Sequence, residues 1–218
     1  MRMENKILDT IIKEKIVGII RGVPSMYILQ TIQALYEGGI RCVEIAIDHK
    51  TQETIENTYA CIKLAADKYA EKMLIGAGTI LTVEEIKKTS SLGALYMISP
   101  NTDETVIKET KKMGLISLPG AMSPSEITAA YAWGADIVKV FPAGYLGTTY
   151  FKAMQGPLGH IPLMAVGGIN AENLGDFMQA GAMGAGIGGN LANVKWIKEG
   201  KFAEITATAK EMVAIVQA

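Results

Sequence analysis

The sequence predicts an α/β protein of the (β/α)8 TIM-barrel class with an extra helix at its N-terminus. Short β-branched runs alternate eight times with longer amphipathic ones, as a parallel barrel requires. Capping signals mark several of the intervening helices. No proline-rich, low-complexity or charge-biased stretch divides the chain, so residues 1–218 read as one domain.

In chain order, residues 1–15 read as the additional helix, covering the bottom of the barrel. The first strand-like run is 16–21, and Ile28, Ile32, Leu35 and Tyr36 then recur at spacings of three and four, the period of a helix with one buried face. Runs at 42–47 and 74–80 follow, and Thr82-Val83-Glu84-Glu85 reads as a capping box. After the run at 95–99, Asn101 is the expected N-cap of the next helix. The run at 115–118 leads to Ser123-Pro124-Ser125-Glu126, a capping box with proline at the first helical position. The last three runs are 137–141, 163–166 and 185–187, with Asn170 as the expected N-cap after the second of them. An open, doubly wound sheet would use the same alternation and is the rival architecture.

Composition excludes several function classes. The chain is 49% hydrophobic, and its 21 Lys plus Arg nearly balance 22 Asp plus Glu, so disorder is excluded. A net charge of −1 supplies no concentrated basic face, and neither nucleic acid nor membrane is an expected partner. Two cysteines, Cys42 and Cys61, cannot build a disulfide framework or a cysteine-rich metal site. The first apolar stretch, 16–20, ends at Arg21 and is too short for a signal segment or a membrane span, so a soluble cytoplasmic protein with reduced thiols is expected. His49 and His160 lack metal-ligand spacing and read as loop residues.

In a barrel, chemistry belongs at the carboxyl ends of the strands. Arg21, Glu44, Thr79, Ser99 and Lys139 each place one polar group there among apolar neighbours. Thr79 and Ser99 could simply bond to backbone. Full charges are a different matter, since they are rarely buried without a partner or a function. Alternation puts Ile137, Lys139 and Phe141 on one face of a strand covered on both sides. Desolvation there would favour the neutral amine that can attack a carbonyl. Glu44 faces the same difficulty, and the two together make an amine nucleophile and a proton-transfer carboxylate. Further along, Gly167-Gly168 and Gly188-Gly189 follow the last two strands, where barrels often hold phosphate on backbone amides.

These residues resemble the class I (Schiff-base) aldolases that cleave 2-keto-3-deoxy-6-phosphogluconate and 4-hydroxy-2-oxoglutarate. The resemblance covers almost the whole chain. Its most specific part is Gly134-Ala135-Asp136-Ile137-Val138-Lys139-Val140-Phe141-Pro142-Ala143, supported by Gly76-Ala77-Gly78-Thr79, Ile98-Ser99-Pro100, Pro119-Gly120 and Gly167-Gly168-Ile169. The resemblance implies that Lys139 forms the Schiff base and that Glu44 is the general acid/base. By the same resemblance Arg21, Thr79, Pro100 and Phe141 contact substrate, Gly167, Gly168, Gly188 and Gly189 line a phosphate site, and the enzyme is a homotrimer that acts on a 2-keto acid, releases pyruvate and needs no metal or cofactor.

The family pattern is departed from in two places. Ala46, Ile47 and Asp48 stand where the family usually has threonine, leucine and an arginine for the substrate carboxylate, and Gly189 stands where many members have serine. Strand alternation carries Asp48 to the same side as Glu44, so Asp48 is expected at the rim of the same pocket as a further substrate-binding residue. A sugar-phosphate epimerase or isomerase, and a non-catalytic binding or assembly relative, are the competing functions at this stage.

Overall fold

The computed structural model describes residues 3–218, and among them nine strands form one parallel sheet. The strands are β1 (Ile16–Arg21), β2 (Cys42–Ala46), β3 (Leu74–Gly78), β4 (Tyr96–Ile98), β5 (Ile116–Leu118), β6 (Gly120–Ala121), β7 (Val138–Val140), β8 (Leu163–Val166) and β9 (Gly184–Ile187). The helices are α1 (Met3–Glu14), α2 (Ser25–Glu37), α3 (Gln52–Tyr69), α4 (Val83–Ser91), α5 (Glu104–Lys112), α6 (Pro124–Ala132), α7 (Ala143–Leu158), α8 (Leu174–Gln179), α9 (Val194–Lys198) and α10 (Phe202–Gln217).

The first strand pairs with the last, Ile16 opposite Ala185, which an open doubly wound sheet does not do. The sheet runs β5-β4-β3-β2-β1-β9-β8-β7-β6, and its two ends are consecutive pieces of chain on either side of Pro119. Proline has no N–H for the ladder, so the fifth predicted strand is interrupted there. The Pro119 carbonyl still accepts from Lys139 N at 2.9 Å, and β6 goes on to pair with β7. The ring is thus the expected (β/α)8 barrel, with its fifth strand written in two parts.

Strand alternation sorts the core into two shells. Ile20, Val43, Ile45, Ile75, Val138, Val140 and Leu163 point outward and pack with Ile28, Ile32 and Leu35 of α2 and their counterparts on the other helices. Val17, Cys42, Tyr96, Ile98, Ile116, Leu118, Ile137, Met164 and Val166 fill the inside. Ile7 and Ile11 of α1 join that inner shell, so the N-terminal helix plugs the barrel bottom as expected. Burying each of these side chains contributes about 1.5–3 kcal/mol.

Helix starts follow the sequence signals at Thr82–Glu85 and Ser123–Glu126, both complete capping boxes. Thr51 and Thr54 form another box, at the start of α3. Asn101 is not an N-cap, because Asp103 takes that place and accepts from Val106 N at 2.9 Å. Asn170 caps the turn ahead of α8 instead of the helix itself, accepting from Glu172 N and Asn173 N. His49 is an exposed loop residue that also meets Glu85 of α4 at 2.7 Å. No described helix is long and apolar enough to cross a membrane.

Candidate active site

At the carboxyl ends of the strands lies a pocket of about 520 Å3. Arg21, Glu44, Thr79, Pro100, Lys139, Phe141, Gly167, Gly168, Gly188 and Gly189 all line it. Residues from seven of the eight barrel staves or their following loops therefore converge on one space, as the topology of a barrel allows.

Lys139 stands in the middle of β7, on the inward face set by Ile137 before it and Phe141 after it. It is 7% exposed, and its Nζ lies 5.0 Å from the centre of the Phe141 ring. Burial pushes its pKa below the ordinary lysine value; Glu44 opposes that shift and Arg21 adds to it. Glu44, on β2, is 1% exposed, and its Oε2 has no hydrogen-bond partner. Burial raises its pKa, while Lys139 and Arg21 pull in the other direction. The pair is thus a desolvated amine and a desolvated carboxyl, each tuned toward its neutral form and each partly held charged by the other.

Room for the carboxyl comes from β3. Gly78, the ladder partner of Ala46, lies beside it, and a Cβ there would overlap Oε1 of Glu44. Arg21, at the end of β1, donates from Nη2 to Thr79 Oγ1 at 2.6 Å. Thr79 adopts a left-handed φ of 57°, uncommon for a β-branched residue. Ser99 is buried but does not line the pocket.

The glycine rim is shaped by close approach. Gly167 and Gly168 have φ of 90° and 78°, and Gly144 N donates to Gly167 O at 2.7 Å, which brings the loop after β8 against the start of α7. Asn190 ties the loop after β9 to the same rim by donating from Nδ2 to Ile169 O at 2.8 Å. At Gly189 an added Cβ would meet nothing within 4 Å. Among the described residues no group of three or more His, Cys, Asp or Glu is placed to hold a metal ion.

Asp48 corrects an expectation. It does not line the pocket of Glu44, but a neighbouring one of about 320 Å3 with Gly22, Pro24, Glu53, Thr54, Asn57 and Thr58. The strand ends at Ala46, and alternation ends with it. Asp48 instead organises the turn into α3: Oδ1 accepts from Lys50 N, and its carbonyl accepts from Thr54 Oγ1 at 2.6 Å. The structure also adds lining residues that were not singled out from the sequence, namely Ile19, Val166, Ile169, Gly186 and Asn190. Ile19 and Gly186 stand two positions before Arg21 and Gly188, so inward alternation would have found both.

The chain matches the family model for KDPG and KHG aldolase over residues 7–208. It is 31% identical to the 2-dehydro-3-deoxy-6-phosphogalactonate aldolase of Escherichia coli K12 over 207 residues, covering 94% of this chain and 95% of that protein. It is 32% identical to the 2-dehydro-3-deoxy-phosphogluconate aldolase of Treponema pallidum over 185 residues, covering 84% and 85% of the two chains. Among solved structures, one described as native KDPGal superposes with a TM-score of 0.82 at 31% identity, covering 93% of this chain and 94% of that one.

Proposed function

The chain belongs to the KDPG and KHG aldolase family, and from that premise we propose that it cleaves a 2-keto-3-deoxy-6-phospho acid, or a related 2-keto-4-hydroxy acid, through an imine on Lys139. That it is a class I aldolase, a lyase acting on a small molecule, follows from membership itself; the substrate and the residue roles are the proposal. Membership also disfavours the epimerase and non-catalytic readings. The observation that carries the proposal is the meeting in one pocket of a buried Lys139 amine and a buried Glu44 carboxyl whose Oε2 has no hydrogen-bond partner.

Neutral Nζ of Lys139 attacks the C2 ketone, and loss of water gives an iminium. The Glu44 carboxylate, directly or through water, takes the proton of the C4 hydroxyl. The C3–C4 bond breaks, its electrons pass into the iminium, and the aldehyde leaves. Glu44, the one carboxyl lining the pocket among the described residues, returns its proton to C3 of the enamine, and hydrolysis releases pyruvate and free Lys139. Because the iminium is the electron sink, this route calls on no metal or other cofactor.

Arg21, steadied by Thr79, is assigned to the keto-acid carboxylate. Pro100 and Phe141 form walls, and Gly167, Gly168, Gly188 and Gly189 receive the phosphate on backbone amides. The relatives' names point to the gluconate- and galactonate-derived phospho acids. The same reading takes residues 1–218 as one catalytic domain, working as a homotrimer in the cytoplasm without nucleic-acid or membrane partners. Borohydride reduction in the presence of pyruvate should leave a mass adduct on Lys139. Reduction that leaves Lys139 unlabelled would overturn the imine.

A further inference from the structure

Beneath the charged pair, the inner apolar cluster carries a phenol hydroxyl on Tyr96. Tyr96 on β4 is fully buried among Val17, Ile98, Ile116 and Leu118, where a phenylalanine would fill nearly the same space without a hydroxyl to satisfy. Its Oη donates to the Val43 carbonyl at 2.6 Å. That carbonyl belongs to the peptide joining Val43 to Glu44. The ring lies over Gly76, the ladder partner of Glu44 on β3, and a Cβ on Gly76 would overlap the ring. Gly76 and Gly78 therefore give up their side-chain space to two neighbours in turn, the Tyr96 ring and the Glu44 carboxyl.

We propose that Tyr96 is the positioning residue of Glu44: its hydroxyl fixes the Val43–Glu44 peptide, and its ring seals the underside of the pocket so that the carboxyl stays dry. The inference rests on the acid/base role proposed for Glu44. Tyr96 makes no hydrogen bond to that carboxyl, whose Oε2 is without a partner, so it acts through the backbone and by excluding water. Its burial, with Cys42 and Glu44 nearby, holds the phenol far above its ordinary pKa, and it remains a neutral donor. The charged and titratable groups facing Glu44 are Lys139 on β7 and Arg21 on β1, with Tyr96 beneath it and Cys42 earlier on its own strand.

Exchange of the pyruvate methyl protons with deuterium isolates this proton transfer, because it needs the imine and the base but no aldehyde. The rate is scaled to the fraction of enzyme that borohydride traps with pyruvate at Lys139, so loss of folded protein does not count as loss of catalysis. Tyr96→Phe should lower kcat for exchange about tenfold, with KM for pyruvate within about twofold, since a small misplacement of a catalytic group costs rate more than binding. Tyr96→Leu should let water reach Glu44 and move the acid limb of the pH profile to lower pH. In a Glu44→Gln background, Tyr96→Phe should cause no further loss. Gly76→Ala, which displaces the ring but keeps the hydroxyl, should reproduce the loss in kcat and serves if Tyr96→Phe does not fold. Wild-type kcat in Tyr96→Phe or in Gly76→Ala, an unmoved acid limb in Tyr96→Leu, or a full additional loss on top of Glu44→Gln would overturn the role of Tyr96. Wild-type exchange in Glu44→Gln alone would overturn the reading of Glu44 itself, a distinguishable result.

Discussion

The Arg21 guanidinium and the Thr79 hydroxyl are joined by a 2.6 Å hydrogen bond across 58 positions of sequence, linking the ends of β1 and β3 over the top of β2. Thr79 pays for this place with a left-handed backbone, φ 57°. The strain sits beside the candidate carboxylate anchor, and it separates two substitutions that would otherwise look alike.

Thr79→Gly removes the hydroxyl but relieves the backbone, whereas Thr79→Ala removes the hydroxyl and keeps the strain. Both should raise KM for the keto acid by a similar factor, because both free Arg21. Their stabilities should differ: Thr79→Gly should stay within about 1 kcal/mol of wild type, with Thr79→Ala lower. Urea unfolding alongside steady-state kinetics checks this, and a KM unchanged in both variants would remove Thr79 from substrate binding.

The pH dependence of imine trapping should move in opposite directions in two variants. The Lys139 pKa is depressed by burial, raised by Glu44 and depressed further by Arg21. Glu44→Gln deletes the raising charge, so the neutral amine should appear at lower pH and the trapping profile should shift down. Arg21→Met deletes a depressing charge, so the profile should shift up. Mass spectrometry of borohydride-trapped enzyme across pH reads both, and shifts of the same sign would contradict the assigned electrostatics.

Both buried charges oppose folding at neutral pH. For Lys139, whose folded pKa lies below its unfolded value, the cost is full at pH below the folded pKa and gone above the unfolded value near 10.5. For Glu44, whose folded pKa is raised, the cost is full above the folded pKa and relieved as pH falls below about 4.5. The double variant Lys139→Met/Glu44→Gln should therefore be inactive yet more stable, by about 1–4 kcal/mol at pH 7. Thermal unfolding should show a higher Tm than wild type, and a lower one would mean that the two groups stabilise each other more than burial penalises them.

Gly189 offers the gentlest change at the glycine rim, because a side chain there meets open space. Gly189→Ser should lower KM for a phosphorylated 2-keto-3-deoxy acid about threefold to tenfold by adding a hydroxyl donor to an anion, and leave the unphosphorylated analogue unaffected. Inorganic phosphate should compete with the former substrate only. Equal effects on both substrates would argue against a phosphate cradle. Gly168→Val would be a poorer probe, since φ of 78° and the nearby Gly144 backbone strain any side chain there.

The barrel was legible because its two periods are clean: the strands are β-branched runs and α2 repeats its apolar positions at three and four. The seam at Pro119 was not, since Gly120-Ala121 is too short and too small to signal a strand. Lys139 and Glu44 stood out because each is a charge inside an apolar alternation. Asp48 was misplaced by extending that alternation beyond the end of β2 at Ala46, where the chain had already begun to turn. Ile19 and Gly186 carry no polar signal, and the Arg21–Thr79 bond joins residues that only the closed ring brings together.

With Ile7 and Ile11 of α1 closing the bottom of the barrel, the pocket at the carboxyl ends of the strands is the door for the proposed reaction. Lys139 is almost wholly enclosed, while Gly189 lies exposed at the mouth. On the proposed imine route, a three-carbon fragment tethered to the lysine is the inner passenger and the aldehyde the outer one. Cleavage must release the aldehyde first and pyruvate second, and synthesis must admit pyruvate before the aldehyde. Product inhibition in the cleavage direction should accordingly be competitive for pyruvate and noncompetitive for the aldehyde, so the plug at one end of the barrel dictates the queue at the other.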